Sequence, residues 1–177
     1  MTCEKVFEEL DKALHDRDMF DCGEDELNDF LKTKALRHMK TGVSRTMVLP
    51  GQETEENGKR SICAFFTVAP SSVERETFSQ QEAKRLPRYP MPIFLIAQLA
   101  VHREKRGEGL GKITLTKALE YLWKVNTYMR AYAVVVDCLT DKARPFYEKY
   151  GFMSLGKFRG HERMFLPMKT VEKLFSA

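Results

Sequence analysis

The sequence predicts an α/β protein, and three observations carry that prediction. Two apolar, β-branched runs, IFLIAQLAV (Ile93–Val101) and YAVVVDC (Tyr132–Cys138), read as strands buried on both faces. Between them, Gly109 to Asn126 places Leu110, Ile113, Ala118, Tyr121, Leu122 and Val125 along one side of a helix. Strand, helix and strand in that order make a βαβ unit with a right-handed crossover. Upstream, two β-rich runs flank a polar, glycine-containing stretch, which is the pattern of a hairpin.

The elements follow in chain order. A long helix is predicted over Glu24–Lys40, where Leu27, Phe30, Leu31, Ala35 and Met39 share a face. Acids fill its first turn and bases its last, matching the helix dipole, and Gly42 ends it. SRTMVL (Ser44–Leu49) and SICAFFTVA (Ser61–Ala69) form the hairpin strands, with Leu49–Ser61 as their loop. A short helix is expected around Ser79–Leu86. RLPRYPMP (Arg85–Pro92) cannot be helical because three prolines interrupt it. After the βαβ unit come a helix over Asp141–Tyr150 ending at Gly151, a strand over Glu162–Met168 and a final helical turn or two in MKTVEKLF. No internal repeat and no low-complexity segment interrupts this order, and the 177 residues suit one domain.

Composition narrows the function classes. No apolar run reaches the ~20 residues that span a bilayer, and the acidic start, MTCEKVFEEL, lacks a signal-peptide apolar region. A cytoplasmic location is the expectation. Cys3, Cys22, Cys63 and Cys138 show no CxxC spacing and read as reduced thiols. With four scattered histidines, no metal site is expected. The net charge of +4 hides an asymmetry. Residues 1–29 carry eleven acids and three bases, and the remainder fourteen acids and twenty-six bases. The acidic head reads as solvated surface. The basic body suggests an anionic partner.

The stretch HREKRGEGLGKITL (His102–Leu115) couples the first buried strand to the central helix. A glycine-rich turn there bares backbone N–H groups at the positive end of a helix dipole, a place for a phosphate. A nucleoside-triphosphate loop needs G-x-x-x-x-G-K-[ST]. Here Gly111-Lys112 is followed by Ile113, and the upstream glycine position holds Arg106. The dinucleotide pattern G-x-G-x-x-G fails too, since the spacing is Gly107, Gly109, Gly111.

What the loop does match is R-x-x-G-x-G, as Arg106-Gly107-Glu108-Gly109-Leu110-Gly111. It resembles the pyrophosphate loop of the GNAT acetyltransferases. A second stretch, ARPFYEKYGF (Ala143–Phe152), resembles that family's motif near the acetyl group. Phe20–Leu49 and Leu86–Val101 are further similar to one branch, the tRNA-acetylating toxins of type II toxin–antitoxin modules. The likeness spans about residue 20 to residue 167.

The resemblance implies a single GNAT domain over residues 1–177. Its sheet would be mixed and mostly antiparallel, splayed at a parallel strand pair and flanked by helices on both faces. It implies acetyl-CoA as co-substrate and no metal. The backbone of Leu99, Ala100 and Val101 would pair with the pantetheine arm, and an N–H of that strand would face the oxyanion. Arg106, Gly107, Gly109, Gly111 and Lys112 would hold the diphosphate, with Lys105 near it. Thr140 stands where the family often has Asn, and supplies a hydroxyl. Phe146 would pack on the cofactor. Tyr147 would face the thioester sulfur as general acid.

The branch implies acetylation of the α-amino group of aminoacyl-tRNA, which blocks translation. It also implies a ribbon-helix-helix antitoxin, repression of the module's own operon, and a homodimer. Lys32, Lys34, Arg37, Lys40, Arg85 and Arg88 are the tRNA-phosphate candidates, with Arg159 and Arg163 beside them. Arg45 is expected to pair internally. Two competing readings stand: a GNAT enzyme acting on a small amine or a protein amino group, and a non-catalytic RNA-binding module with a degenerate cofactor site.

Overall fold

The computed structural model describes residues 1–176. Its contacts divide the chain into two compact units, one of residues 1–69 and 97–118, the other of residues 70–96 and from Leu119 onward. Strand β5 (Met91–Val101) and helix α4 (Leu110–Asn126) each pass from one unit into the other. The strands are mostly antiparallel, and the class is the mixed α/β one that the sequence predicts.

In the first unit, β3 (Arg45–Thr54) and β4 (Arg60–Val73) pair antiparallel from Arg45↔Val68 to Leu49↔Ala64. Both strands run farther than their β-rich cores, so the loop shrinks to residues 55–59. Polar residues are tolerated there because the distal end of β3 is exposed. Two short strands that the sequence does not signal join the pair. β1 (Glu8–Glu9) lies antiparallel to β3, and β2 (His15–Asp16) parallel to β4. Two residues each leave no period to read.

The predicted Glu24–Lys40 helix forms in three pieces. α1 (Asp25–Asp29) and α2 (Ala35–Lys40) are joined by a π-helical turn, Phe30–Lys34. The Ala35 N–H reaches back five residues to the Phe30 carbonyl. Thr33 donates its hydroxyl to the Asp29 carbonyl at 2.9 Å, one way such a turn keeps its groups satisfied. Phe30, Leu31 and Ala35 are buried against Phe20, Val48, Ile62 and Phe65.

Two expectations for this unit are overturned. Cys3 and Cys63 form a disulfide across 60 residues of sequence, while Cys22 and Cys138 remain free thiols. The reason is register. Cys3 bridges to Gly51, and the Glu4 N–H donates to the Pro50 carbonyl at 2.8 Å, which lays the amino terminus along β3. The Cα atoms of Cys3 and Cys63 then lie 6.2 Å apart, within reach of a bridge. The acidic head is not merely solvated surface either. His15 is buried and accepts from the Asp11 N–H at Nδ1 (2.9 Å), so its proton sits on Nε2 and is donated to Glu8 (2.7 Å). Arg60 also donates to Glu8, and Asn57 donates to the buried Asp16 at 2.6 Å. Arg45 pairs with Glu9 at 3.3 Å.

In the second unit, β5 runs parallel to β6 (Ala133–Cys138) from Ile93↔Ala133 to Ile96↔Val136. β6 pairs antiparallel with β8 (His161–Pro167), and β8 with β7 (Met153–Phe158). Four successive residues of β6, Ala133–Val136, are buried, as an apolar run flanked on both sides must be. β7 has no sequence signal because five of its six residues are exposed and no apolar alternation marks it. Helices α3 (Gln80–Ala83), α5 (Ala143–Lys149) and α6 (Met168–Phe175) complete the unit. Its core joins Ile93, Ala133, Val135 and Phe165 to Val73 and Phe78. Among the described residues no helix is long and apolar enough to cross a membrane, and no group of three His, Cys, Asp or Glu is placed to hold a metal.

Candidate active site

The glycine loop lies in the first unit and is held at both ends. The His102 N–H donates to the Cys63 carbonyl at 2.8 Å, which fixes where β5 stops. A 3-10 turn over Arg103–Lys105 follows, with the His102 side chain capping Glu104 N–H at 3.2 Å. Gly107 (φ 82°) and Gly109 (φ 78°) then adopt the left-handed conformation that other residues reach only with strain. A Cβ built at either glycine would have no atom within 4 Å. Their requirement is conformational, and the space above them is open.

Helix α4 starts at Leu110, and the Ile113 N–H bonds to the Gly109 carbonyl at 3.2 Å. The N–H groups of Leu110, Gly111 and Lys112 therefore lead the helix without an intrahelical acceptor. Gly111 is helical and Lys112 is exposed in this first turn. Leu110 and Val101 pack on Leu49, Cys63 and Ala64, so the helix start is seated on β3 and β4.

Of the basic residues of the loop, Lys105 pairs with Glu108 at 3.4 Å. Arg106, though exposed, donates to the Cys22 carbonyl. Arg103, which the sequence does not single out, pairs with Asp21 at 3.0 Å, and its N–H donates to the Asp21 carbonyl at 2.9 Å. Asp21 is thus an anchor that the sequence reading missed. Its carboxyl accepts from the Gly23 N–H (2.8 Å) and from Asn28 (3.0 Å). Those two bonds, with Arg103 adding to them, hold it below its ordinary carboxylate range. The Asp-Cys-Gly turn was the available signal, since Asp two residues before Gly closes an Asx turn.

A cavity of about 540 Å³ opens beside this anchor, lined by Asp18, Asp21, Asp25, Asp29, Lys32 and His102. Lys32 therefore faces carboxylates, and Lys34 pairs with Asp29 at 3.4 Å. Arg37 and Lys40 are exposed on α2. Arg85 and Arg88 are exposed in the second unit, so the candidate phosphate contacts divide between the units.

Tyr147 lies in the second unit on α5 and is 7 % exposed. Its ring meets Phe146 edge-on at 5.1 Å and Phe152 at 5.3 Å. Phe146, half-buried, also meets Tyr150 at 5.2 Å. Burial pushes the Tyr147 phenol far above its ordinary value, and the Cys138 thiol adds to that. The hydroxyl is a proton donor at every physiological pH. Burial likewise raises the thiol of Cys138. The backbone carbonyl of Thr140 accepts the Ala143 N–H at 3.1 Å, in the turn that leads into α5. With Cys138, Arg144, Lys157, His161 and Glu162, Thr140 lines a second cavity of about 390 Å³. Arg163, a phosphate candidate, is instead locked to Asp137 by two bonds of 2.7 and 2.9 Å.

Residues 59–154 match the acetyltransferase (GNAT) domain family. The tRNA-acetylating toxin of Mycobacterium tuberculosis (strain ATCC 25618 / H37Rv) is 31% identical over 133 residues, 75% of each chain. The structure of AtaT complexed with acetyl-methionyl-tRNAfMet superposes with a TM-score of 0.84 at 28% identity, covering 97% of this chain and 99% of that one. A tyrosine-to-phenylalanine variant of AtaT, bound to the C-terminus of the antitoxin AtaR and acetyl-CoA, superposes with a TM-score of 0.79 at 25% identity, over 97% and 98% of the two chains. With more than half of its length matched by the family and a curated relative above 30% identity, this chain belongs to the GNAT acetyltransferases.

Proposed function

We propose that the protein transfers the acetyl group of acetyl-CoA to the α-amino group of aminoacyl-tRNA and so acts as a translation-blocking toxin. The observation that carries the reading is the loop of Gly107 and Gly109, left-handed and uncovered at the start of α4. Several N–H groups leading a seventeen-residue helix suit a diphosphate. The similarity to a mycobacterial tRNA-acetylating toxin and the contents of the AtaT complexes support the tRNA acceptor and acetyl-CoA. An antitoxin is the expected protein partner, by analogy with AtaR on AtaT. Its ribbon-helix-helix type, a homodimer and action in the cytoplasm complete the reading.

The chemistry asks little of a base. An α-amino group has a pKa of ~8, and the ester of a charged tRNA lowers it, so much of the amine is already neutral. The nitrogen attacks the thioester carbonyl, and a backbone N–H of Leu99–Val101 takes the oxyanion. Collapse breaks the carbon–sulfur bond and expels a thiolate. Water carries the surplus proton off the nitrogen, Tyr147 delivers its own proton to the sulfur, and solvent returns one to Tyr147. Burial raises the Tyr147 pKa, which keeps the phenol protonated and able to donate.

Mass spectrometry of charged tRNA after incubation with the protein and acetyl-CoA tests the proposal. An acetyl mass increment on the amino acid, absent with uncharged tRNA, is expected. One observation favours a second reading. The carboxylate-lined cavity beside Asp21 suits a small cationic amine, and a polyamine acetylated faster than charged tRNA would select that reading.

A further inference from the structure

The β7–β8 hairpin turns through only two residues, Arg159 and Gly160, both with positive φ (50° and 81°). This is the tight turn that matches strand twist. Just before it stands Phe158, 41% exposed although it is a large apolar ring. The Arg163 guanidinium covers the ring with its carbon 3.7 Å from the centroid. Arg163 cannot drift, because it is 9% exposed and doubly bonded to Asp137. Arg159 stands farther off, at 5.2 Å. Among the described residues neither Lys157 nor Arg159 forms an ion pair. Lys157 and Gly160, neighbours of Phe158 in the strand and the turn, line the 390 Å³ cavity that also contains Thr140.

We infer that Phe158, backed by Arg163, is a stacking platform for an unpaired nucleobase at the 3′ end of the charged tRNA, with Lys157 and Arg159 meeting its phosphates. The inference rests on the aminoacyl-tRNA reading for the identity of the strand. A flat aromatic face with cations around it is how proteins hold single-stranded nucleic acid without reading its sequence. A single ring with two guanidinium groups over it suits one base better than an apolar protein contact. Arg163 therefore serves the tRNA as a positioning residue, through Phe158.

The test uses the full chain and a CCA-ended minihelix whose terminal adenine is replaced by 2-aminopurine. Stacking quenches this probe. The wild type is expected to quench it, Phe158→Ala to lose the quench, and Phe158→Tyr, which keeps the ring, to retain it. With charged tRNA, Phe158→Ala should raise KM about tenfold, the size of one lost base stack, and Phe158→Tyr should restore it. Unchanged quench and KM in the alanine variant overturn the inference, and so does equal loss in the tyrosine variant. Weakened antitoxin capture with unchanged quench assigns the ring to the protein partner and also overturns it. If the wild type leaves charged tRNA unacetylated, the proposed function fails, while the quench on the uncharged probe still decides the platform.

Discussion

The guanidinium of Arg106 donates a hydrogen bond to the carbonyl oxygen of Cys22, 84 residues earlier in the chain. The residue read from the sequence as a phosphate contact is thus also a tie between the glycine loop and the turn at Asp21–Gly23. A Cβ at Gly23 would come within 2.9 Å of the Arg106 Nη2, at a φ of +86°. Gly23→Ala should therefore dislodge Arg106 and weaken acetyl-CoA binding several-fold. Calorimetric titration of the variant checks this.

The Asp21 anchor has a pH signature. Its carboxyl is held below the ordinary value first by the Gly23 N–H, then by Asn28, with Arg103 contributing. A depressed folded pKa means its contribution is present above the unfolded carboxylate pKa of about 3.9 and is lost as the pH falls through the lower folded value. Asp21→Asn should lose stability at neutral pH and show a shallower acid-side decline than the wild type. Thermal melts from pH 7 to pH 3 measure both.

Gly109→Ala tests the loop itself. An L-residue at φ 78° carries a strain of roughly 1–2 kcal/mol. The residue relaxes by withdrawing its N–H from the anion site, and acetyl-CoA affinity should drop about tenfold. The same strain should lower the melting temperature by a few degrees, and titrating the variant well below that transition separates a ligand effect from misfolding.

Tyr147→Phe should keep acetyl-CoA affinity and lower kcat by about 10²–10⁴. Because burial raises the phenol pKa, Tyr147 remains protonated throughout the accessible pH range. The wild-type kcat profile should therefore show no alkaline limb from this group up to pH ~10. A phenylalanine variant at wild-type rate would make Tyr147 a packing residue of the Phe146–Phe152 cluster.

The Cys3–Cys63 disulfide closes a long loop, and its reduction should cost about 2–4 kcal/mol. A reductant should lower the melting temperature of the wild type and leave Cys3→Ser unaffected. Burial raises the thiol pKa of Cys22 and Cys138, so both should resist alkylation at neutral pH.

What the sequence could show follows from the range of each signal. Val134–Val136, Ala118 and Leu122 declare themselves by local apolar period and are buried as expected, whereas Ile113, read onto the same helix face, is 45% exposed. The glycine pattern is local too, and its left-handed φ values are where a loop of that spacing needs them. What stayed hidden depends on distant partners. Cys3 meets Cys63 only once β3 and β4 set their register, and Asp21 becomes an anchor only when Arg103 is brought to it. β7 is exposed and pairs only with β8, so no burial pattern marks it. Charge alone marks the tRNA-phosphate candidates, and charge does not tell that Arg163 is bound to Asp137 while Arg159 is exposed.

The wide turn at Phe30–Lys34 means that this helical run carries one spare residue. In an ordinary helix, removing a residue swings everything downstream by about 100°. Here, excising exposed Thr33 would close the turn into plain α-helix and leave Leu27 and Met39 pointing where they do now. Natural length variation in this fold should therefore collect at this turn, and an alignment gap belongs there rather than in the loops on either side.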